Sequence, residues 1–248
     1  MSESWIVGIN PVEGALSNDA ERVREVLVES GQRNARVLDL VDRAKKLKIP
    51  VQHRSRDELD RVSGEARHQG VAARCEAAPA THESDLASLL ERDGSNTLVL
   101  VLDGVTDPHN LGACLRSAAA AKVTAVIVPK DRAVGLTPVV RRASAGGADR
   151  VPLVTVTNLA RTLRELKDAG VWITGLDGDT DTTIYAVDFK GPVALVLGSE
   201  GEGIRRLTRD LCDFVAKIPM PGVMESLNVS VATGVVVFEV LRQRSMGR

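Results

Sequence analysis

The chain has 248 residues, 44% of them hydrophobic and 26% charged, proportions that exclude a disordered or fibrous protein. Lys and Arg number 32 against 33 Asp and Glu, a net charge of -1. This excludes a uniformly basic coat for non-specific nucleic-acid binding but leaves room for a local basic patch. Two Trp, one Tyr and three Phe are too few for an RNA surface built on several base-stacking platforms.

In chain order, short apolar runs of strand type occupy 5–9, 23–28 and 71–74. Between them, 35–48 carries Val37, Leu38, Leu40, Val41, Ala44 and Leu47 at the 3.6-residue spacing of an amphipathic helix. This predicts a small α/β domain over 1–76, whose 13 acidic and 13 basic side chains balance. The stretch 77–84 lacks apolar periodicity and carries Pro79, which marks a linker over 77–96 holding a short amphipathic segment at 85–90. From 97 to 248 a second domain is expected. Its strand candidates fall at 98–102, 123–128, 151–156, 171–174, 193–197 and 214–218, and its helical segments at 110–121, 138–145, 158–169, 203–211 and 228–244. The strands are continuous Val/Leu/Ile runs rather than alternating ones. Such strands are buried on both faces, so an α/β fold with a mostly parallel sheet and helices on both sides is predicted.

Cys75, Cys114 and Cys212 are far apart and form no CxxC pair, and the four histidines lack metal-ligand spacing. Neither a disulfide framework nor a metal site is expected, and a reducing cytoplasm is the simplest setting. No basic-then-apolar leader opens the chain, and the uncharged stretch 226–238 is too short to span a bilayer.

In open parallel sheets, ligands sit outside the carboxyl ends of the strands, so the loops after strands carry the function. Three stand out. In the first, Asp107-Pro108 starts a turn, Asn110 is placed to cap the helix behind it, and Arg116 comes next among small apolar residues. An arginine on a helix that reads as buried calls for an anionic partner. The second, Leu197-Gly198-Ser199-Glu200-Gly201-Glu202-Gly203, lets a backbone approach a ligand closely but has neither the Walker A order nor GxGxxG. Its two carboxylates suit a ligand bearing positive charge or hydroxyls better than a phosphate. In the third, Pro219, Pro221 and Gly222 stiffen a loop that ends on Ser226, Asn228 and Ser230 beside Val229, Val231 and the run 235–238, which read as buried. Helix capping accounts for one of these polar groups; a ligand or a second subunit is needed for the others.

Together these loops resemble the three signature motifs of the SPOUT superfamily of RNA methyltransferases, and within it the TrmH family of ribose 2'-O-methyltransferases. The matching residues are Asn110-Leu111-Gly112-Ala113-Cys114-Leu115-Arg116, the stretch 195–203, and Ile218-Pro219-Met220 through Ser226-Leu227-Asn228-Val229-Ser230. The stretch 102–110 is most similar to members that methylate a guanosine ribose in 23S ribosomal RNA. In addition, His68-Gln69-Gly70-Val71-Ala72 closes 1–76 as in members with an N-terminal substrate-binding domain. The resemblance implies a deep trefoil knot in 97–248, a homodimer, and S-adenosylmethionine bound near Leu197, Gly198, Gly201, Ile218, Met220 and Leu227. It makes Arg116 the key catalytic group, with Asn110, Glu200, Ser226 and Asn228 positioning the ribose and the arginine. Between 129 and 150, Lys130, Arg132, Arg141, Arg142 and Arg150 outnumber Asp131 and Asp149, so Arg132, Arg141 and Arg142 are the candidate RNA-phosphate track. A relative acting on tRNA or on another rRNA nucleotide, and a non-enzymatic RNA-binding ribosome-assembly factor, remain open beside this reading.

Overall fold

A computed structural model describes residues 3–64, 67–76, 81–199, 201 and 203–246, apart from the side chains of residues 3, 4, 18 and 132. The chain forms two compact units, Met1–Pro79 and Ala80–Arg248.

The first unit is a four-stranded mixed sheet of order β1-β4-β2-β3. Strand β1 (Glu3–Val7) and strand β2 (Val23–Glu29) both run antiparallel to β4 (Val71–Glu76), and β3 (Val51–Arg54) runs parallel to β2. Helices α1 (Ile9–Asn18) and α2 (Ala35–Lys46) bury Ile9, Val12, Leu16, Val37, Leu40 and Val41 against one face. Helix α3 (Arg56–Ser63) seats Leu59 against Leu27 and Ala72 on the other. The apolar pattern carries the first strand to residue 9; instead Gly8, at φ 97°, breaks it and Ile9 opens α1. The same pattern passes over β3 and α3. Strand β3 has two half-buried and two exposed residues, so it shows no apolar run. Helix α3 buries only Leu59 and owes its start to a capping box, Ser55 with Glu58.

The second unit is a six-stranded sheet of order β10-β8-β9-β5-β6-β7, every neighbouring pair parallel. Its strands are β5 (Leu98–Asp103), β6 (Ala125–Pro129), β7 (Leu153–Val156), β8 (Trp172–Leu176), β9 (Val193–Gly198) and β10 (Phe214–Ala216). All residues of β5 and β6 are buried, as the unbroken apolar runs require. Helices α5 (Pro108–Ala120), α6 (Pro138–Ala143) and α9 (Val229–Met246) share one core with one face. Helices α4 (Leu86–Asp93) and α7 (Leu159–Asp168) cover the other. Leu86 is buried there, so the chain is built into this unit soon after 80.

The segment 203–211, expected as a helix, contains only a four-residue turn, α8 (Arg206–Arg209). Gly201 and Gly203, at φ 90° and 67°, and a bridge between Ser199 and Gly203 hold its beginning open. Helix α9 is fastened at its far end. The Gln243 amide accepts from the Phe189 N–H at 2.9 Å and donates to the Val187 carbonyl at 3.0 Å. Arg244 donates to the carbonyls of Asn96, Thr97, Phe189 and Gly191 at 2.7, 2.9, 3.2 and 2.7 Å. No helix among the described residues is long and apolar enough to cross a membrane.

Candidate active site

Because all six strands are parallel, the loops after β5, β8, β9 and β10 emerge at one edge of the sheet. The first of them ends in a cap on α5, but the capping residue is Asp107, whose carboxylate accepts from the His109 N–H at 3.0 Å; Pro108 fills the first helical position. The expectation that Asn110 caps this helix is therefore corrected: it stands within the first turn. Its Oδ1 accepts from Asn228 Nδ2 at 3.0 Å. Asn228 is in turn fixed at the head of α9, where its Oδ1 accepts from the Ser230 N–H at 2.9 Å and hydroxyl at 2.6 Å. The head of α5 and the residue that opens α9, 118 residues apart, thus meet through this amide pair.

Arg116 is also placed differently from the sequence expectation. Helix α5 buries Leu111, Gly112, Cys114, Leu115 and Ala118, and Arg116 points outward, exposed. No burial penalty forces it to find an anion. Among the described residues it has no hydrogen-bond or ion-pair partner, so its guanidinium is available to one from outside. The helix beneath it is held closely. A Cβ on Gly147 would meet the Arg116 Cα at 2.9 Å, and one on Gly112 would collide with Ala143. On the inner side of the helix, Cys114 Sγ lies 3.3 Å from Thr233 Oγ1 of α9, and burial pushes its thiol up to about 11.

The second loop folds back on its own beginning. A Cβ at Gly198 would overlap the backbone of Gly203 and Ile204, so only glycine fits. Asp103, fully buried at the end of β5 and paired in register with Gly198, anchors the segment that leaves this loop. Its Oδ2 accepts from Thr208 Oγ1 at 2.8 Å and Arg205 Nε at 3.0 Å. Its Oδ1 lies 2.5 Å from Arg205 Nη2 but out of line for a hydrogen bond, an ion pair only. One turn on, Arg209 pairs with Asp177 at 3.3 Å and donates to the Asp179 carbonyl at 2.8 Å. Helix α8 therefore clasps the ends of β5 and β8 to each other. Sequence reasoning missed this clasp because Asp103 and its partners are some hundred residues apart.

Between β8, β10 and the third loop lies a cleft lined by Leu176, Asp177, Gly178, Ile218, Met220 and Leu227, with Ser226 and Glu225 also on its wall. It brings together four of the expected residues: Ile218, Met220, Ser226 and Leu227. Leu197 is buried beside it, paired in register with Leu176. Leu176, Asp177 and Gly178 are additions that the structure makes to the site; their signal in the sequence is a Leu-Asp-Gly turn directly after a strand. Arg116 does not line this cleft. Glu200 lies outside the described residues, as does the Arg132 side chain. Arg141 forms an ion pair with Asp149, which engages one member of the expected phosphate track; Arg142 is exposed and is not free of partners either. No group of three His, Cys, Asp or Glu among the described residues is arranged to hold a metal ion.

A family model described as the SpoU rRNA Methylase family matches residues 97–238. The chain belongs to the SpoU methylase family. A second model, RNA 2'-O ribose methyltransferase substrate binding, matches residues 5–81 of this SpoU methylase. It is 57% identical over 242 residues to the 23S rRNA (guanosine-2'-O-)-methyltransferase RlmB of Xylella fastidiosa (strain 9a5c), covering 98% of this chain and 97% of that one. It is 50% identical over 240 residues to the protein of the same name from Pseudomonas aeruginosa, covering 97% and 96%. Among solved structures, the SpoU methyltransferase AviRb from Streptomyces viridochromogenes superposes with a TM-score of 0.76 at 26% identity, over 99% of this chain and 91% of that one. The complex of AviRb with the cofactor AdoMet gives 0.73 at 26% identity, over 99% and 92%.

Proposed function

We infer that this SpoU methylase transfers a methyl group from S-adenosylmethionine to the ribose 2'-hydroxyl of a guanosine in 23S ribosomal RNA. The observation that carries this is the Asn110–Asn228 pair beside the cleft, in a chain 57% identical to a relative bearing that activity in its name. The cleft fits the cofactor chemically. Leu176, Ile218, Met220 and Leu227 offer apolar walls for a base. Glu225 and Asp177 suit hydroxyls and a cationic sulfur, and the crowding at Gly198 keeps the loop backbone against the site. Leu197, Gly198, Gly201, Ile218, Met220 and Leu227 would hold it.

When bound, S-adenosylmethionine supplies an electrophilic methyl carbon on a sulfonium. The protein's part is to align the hydroxyl and assist loss of its proton. Arg116 is the catalytic group in this reading. A guanidinium stays protonated, so it serves by gripping a neighbouring RNA phosphate and stabilising the alkoxide as it forms, while the hydroxyl proton passes to that phosphate or to water. Asn110 and Asn228, locked to one another, orient the ribose with Ser226 and Glu200. Arg142, with Arg132 and the partly engaged Arg141, extends the phosphate contacts.

Further features accord with the family. A trefoil knot in 97–248 is inferred from the family resemblance, in a unit where α9 packs against α5 and β9. A homodimer is supported by Val231 and Phe238, 52% and 50% exposed and seven residues apart on one side of α9. A cytoplasmic setting agrees with Cys75, Cys114 and Cys212 all being thiols. We assign RNA recognition to 1–76 and methyl transfer to 97–248; of the expected linker 77–96, helix α4 belongs to the second unit, packed on its sheet through Leu86.

The test is transfer of labelled methyl to unmodified 23S rRNA and, separately, to bulk tRNA, before alkaline hydrolysis. A 2'-O-methyl removes the nucleophile that cleaves the next phosphodiester, so label in an alkali-resistant guanosine dinucleotide from rRNA alone is the expected result. Label only in tRNA would move the substrate. RNA binding without transfer to either would leave an assembly factor.

A further inference from the structure

The first unit has its own cleft, lined by Glu29, Arg56, Asp60, Gly64, Arg67, His68, Gln69 and Gly70. It lies where β1, β2 and β3 all end and β4 begins, the edge of an α/β sheet at which ligands collect. Each connection that reaches this edge after β2 brings an arginine with it: Arg33, Arg56 as the first residue of α3, and Arg67. All three are exposed, and none has a side-chain partner among the described residues, although Glu29 and Asp60 line the same cleft. The cleft thus carries two arginines beside two carboxylates, with Arg33 near by, and among the described residues all three guanidiniums are uncommitted.

The floor of the cleft is rigid. His68, 8% exposed, accepts from the Gly70 N–H on Nδ1 at 2.9 Å, so its proton is on Nε2, 3.1 Å from Asp60 Oδ1. Gln69 is held at φ 53°, a costly conformation for a residue with a side chain, and its Oε1 accepts from the Ile9 N–H at 3.2 Å. Gly70, at φ 82°, holds a left-handed conformation that a side chain would strain. The His68-Gln69-Gly70 turn therefore fixes the Asp60 carboxylate at the rim while Glu29, half-buried, makes no bond to any described side chain.

We propose that this cleft is where the first unit reads its RNA: Arg56 and Arg67, with Arg33, take phosphates, and Glu29 accepts from the amino group of one unstacked base. This rests on reading the chain as an RNA methyltransferase and adds the residues that grip the substrate. Guanidinium forks match phosphates, which fix register, and a carboxylate acceptor matches an amino-bearing base edge but repels the O4 of uracil.

The experiment is direct binding of an unmodified 23S rRNA fragment without cofactor, across a salt series, with methyl transfer measured separately. The double substitution Arg56→Ala/Arg67→Ala should weaken binding at least tenfold at about 0.1 M salt and reduce the slope of log affinity on log salt by about 2. Its S-adenosylmethionine affinity and its turnover at saturating RNA should stay at wild-type values. Arg43→Ala/Lys46→Ala, two exposed cations at the opposite end of α2, is the control for charge alone. For Glu29→Gln, competition by oligo(C) over oligo(U), present in the wild type, should disappear. Unchanged affinity and slope in the arginine pair, or an equal loss in the control, would overturn the proposal. A wild type that binds the fragment but never methylates it would instead overturn the enzymatic reading and leave the cleft result standing.

Discussion

Arg116 and Asn228 show what one residue can disclose from sequence and what it cannot. The spacing of motif residues brings Asn110, Arg116 and Asn228 forward, and the amide pair at 3.0 Å joins two of them. Burial, the physical reason that the sequence offers for Arg116, is wrong: a helix of small apolar residues still has a solvent face, and the sequence does not say which residue takes it. Its exposure sharpens the expectation. Arg116→Ala should lower turnover by about 10²–10⁴-fold while S-adenosylmethionine affinity by calorimetry stays within about twofold; equal losses in both would remove it from the chemistry. Cys114 behaves oppositely, as a buried thiol held at about 11 from an ordinary 9.0. Cys212 is likewise raised to about 11, again chiefly by burial. A raised thiol pKa stabilises the fold below the unfolded value, and that contribution drains as pH climbs from 9 to 11. Chemical denaturation should therefore show stability falling over that window, by about 2–3 kcal/mol for Cys114, and Cys114→Ser should flatten the decline.

At the level of elements, the runs of Val, Leu and Ile disclose the parallel strands of the second unit because burial on both faces leaves a continuous apolar pattern. Strand β3 and helix α3 leave no such trace, being half-solvated. The clasp of α8 is invisible for another reason: Asp103, Arg205 and Thr208 have no local periodicity, and only the folded sheet brings them together. Asp103→Ala should lower stability by about 2–3 kcal/mol, less than for a fully buried pair because Arg205 is 40% exposed and turns to solvent. It should also raise the KM for S-adenosylmethionine, since the same turn steadies the Asp177 loop on the cleft wall; Asp103→Asn, which keeps the acceptor for Thr208, should recover part of both. Gly198→Ala places a Cβ in the Gly203 backbone. It should cost about 1–3 kcal/mol in a thermal melt and abolish cofactor binding. A variant that melts like the wild type and binds normally would mean the loop relaxes at no cost.

For the whole molecule, two units are legible from a change in composition near residue 77, which needs no long-range information. The proposed homodimer has its support in leftover surface on α9. Phe238→Glu should convert a dimer to a monomer in sedimentation equilibrium, because a carboxylate placed on the Val231–Phe238 side of α9 would have to be desolvated on association. A dimer that persists would put the interface elsewhere. Arg244 carries a different implication for how the molecule comes into being. Burial lowers its pKa, and its four carbonyl partners lie at the start of β5 and ahead of β9. Asn228 and the cleft residue Ala232 belong to the beginning of the helix that this arginine secures. All four of those partners precede Arg244 by 53 residues or more, so the end of the site that sits on α9 is completed only by long-range contacts, which close after the local structure of the sheet has formed.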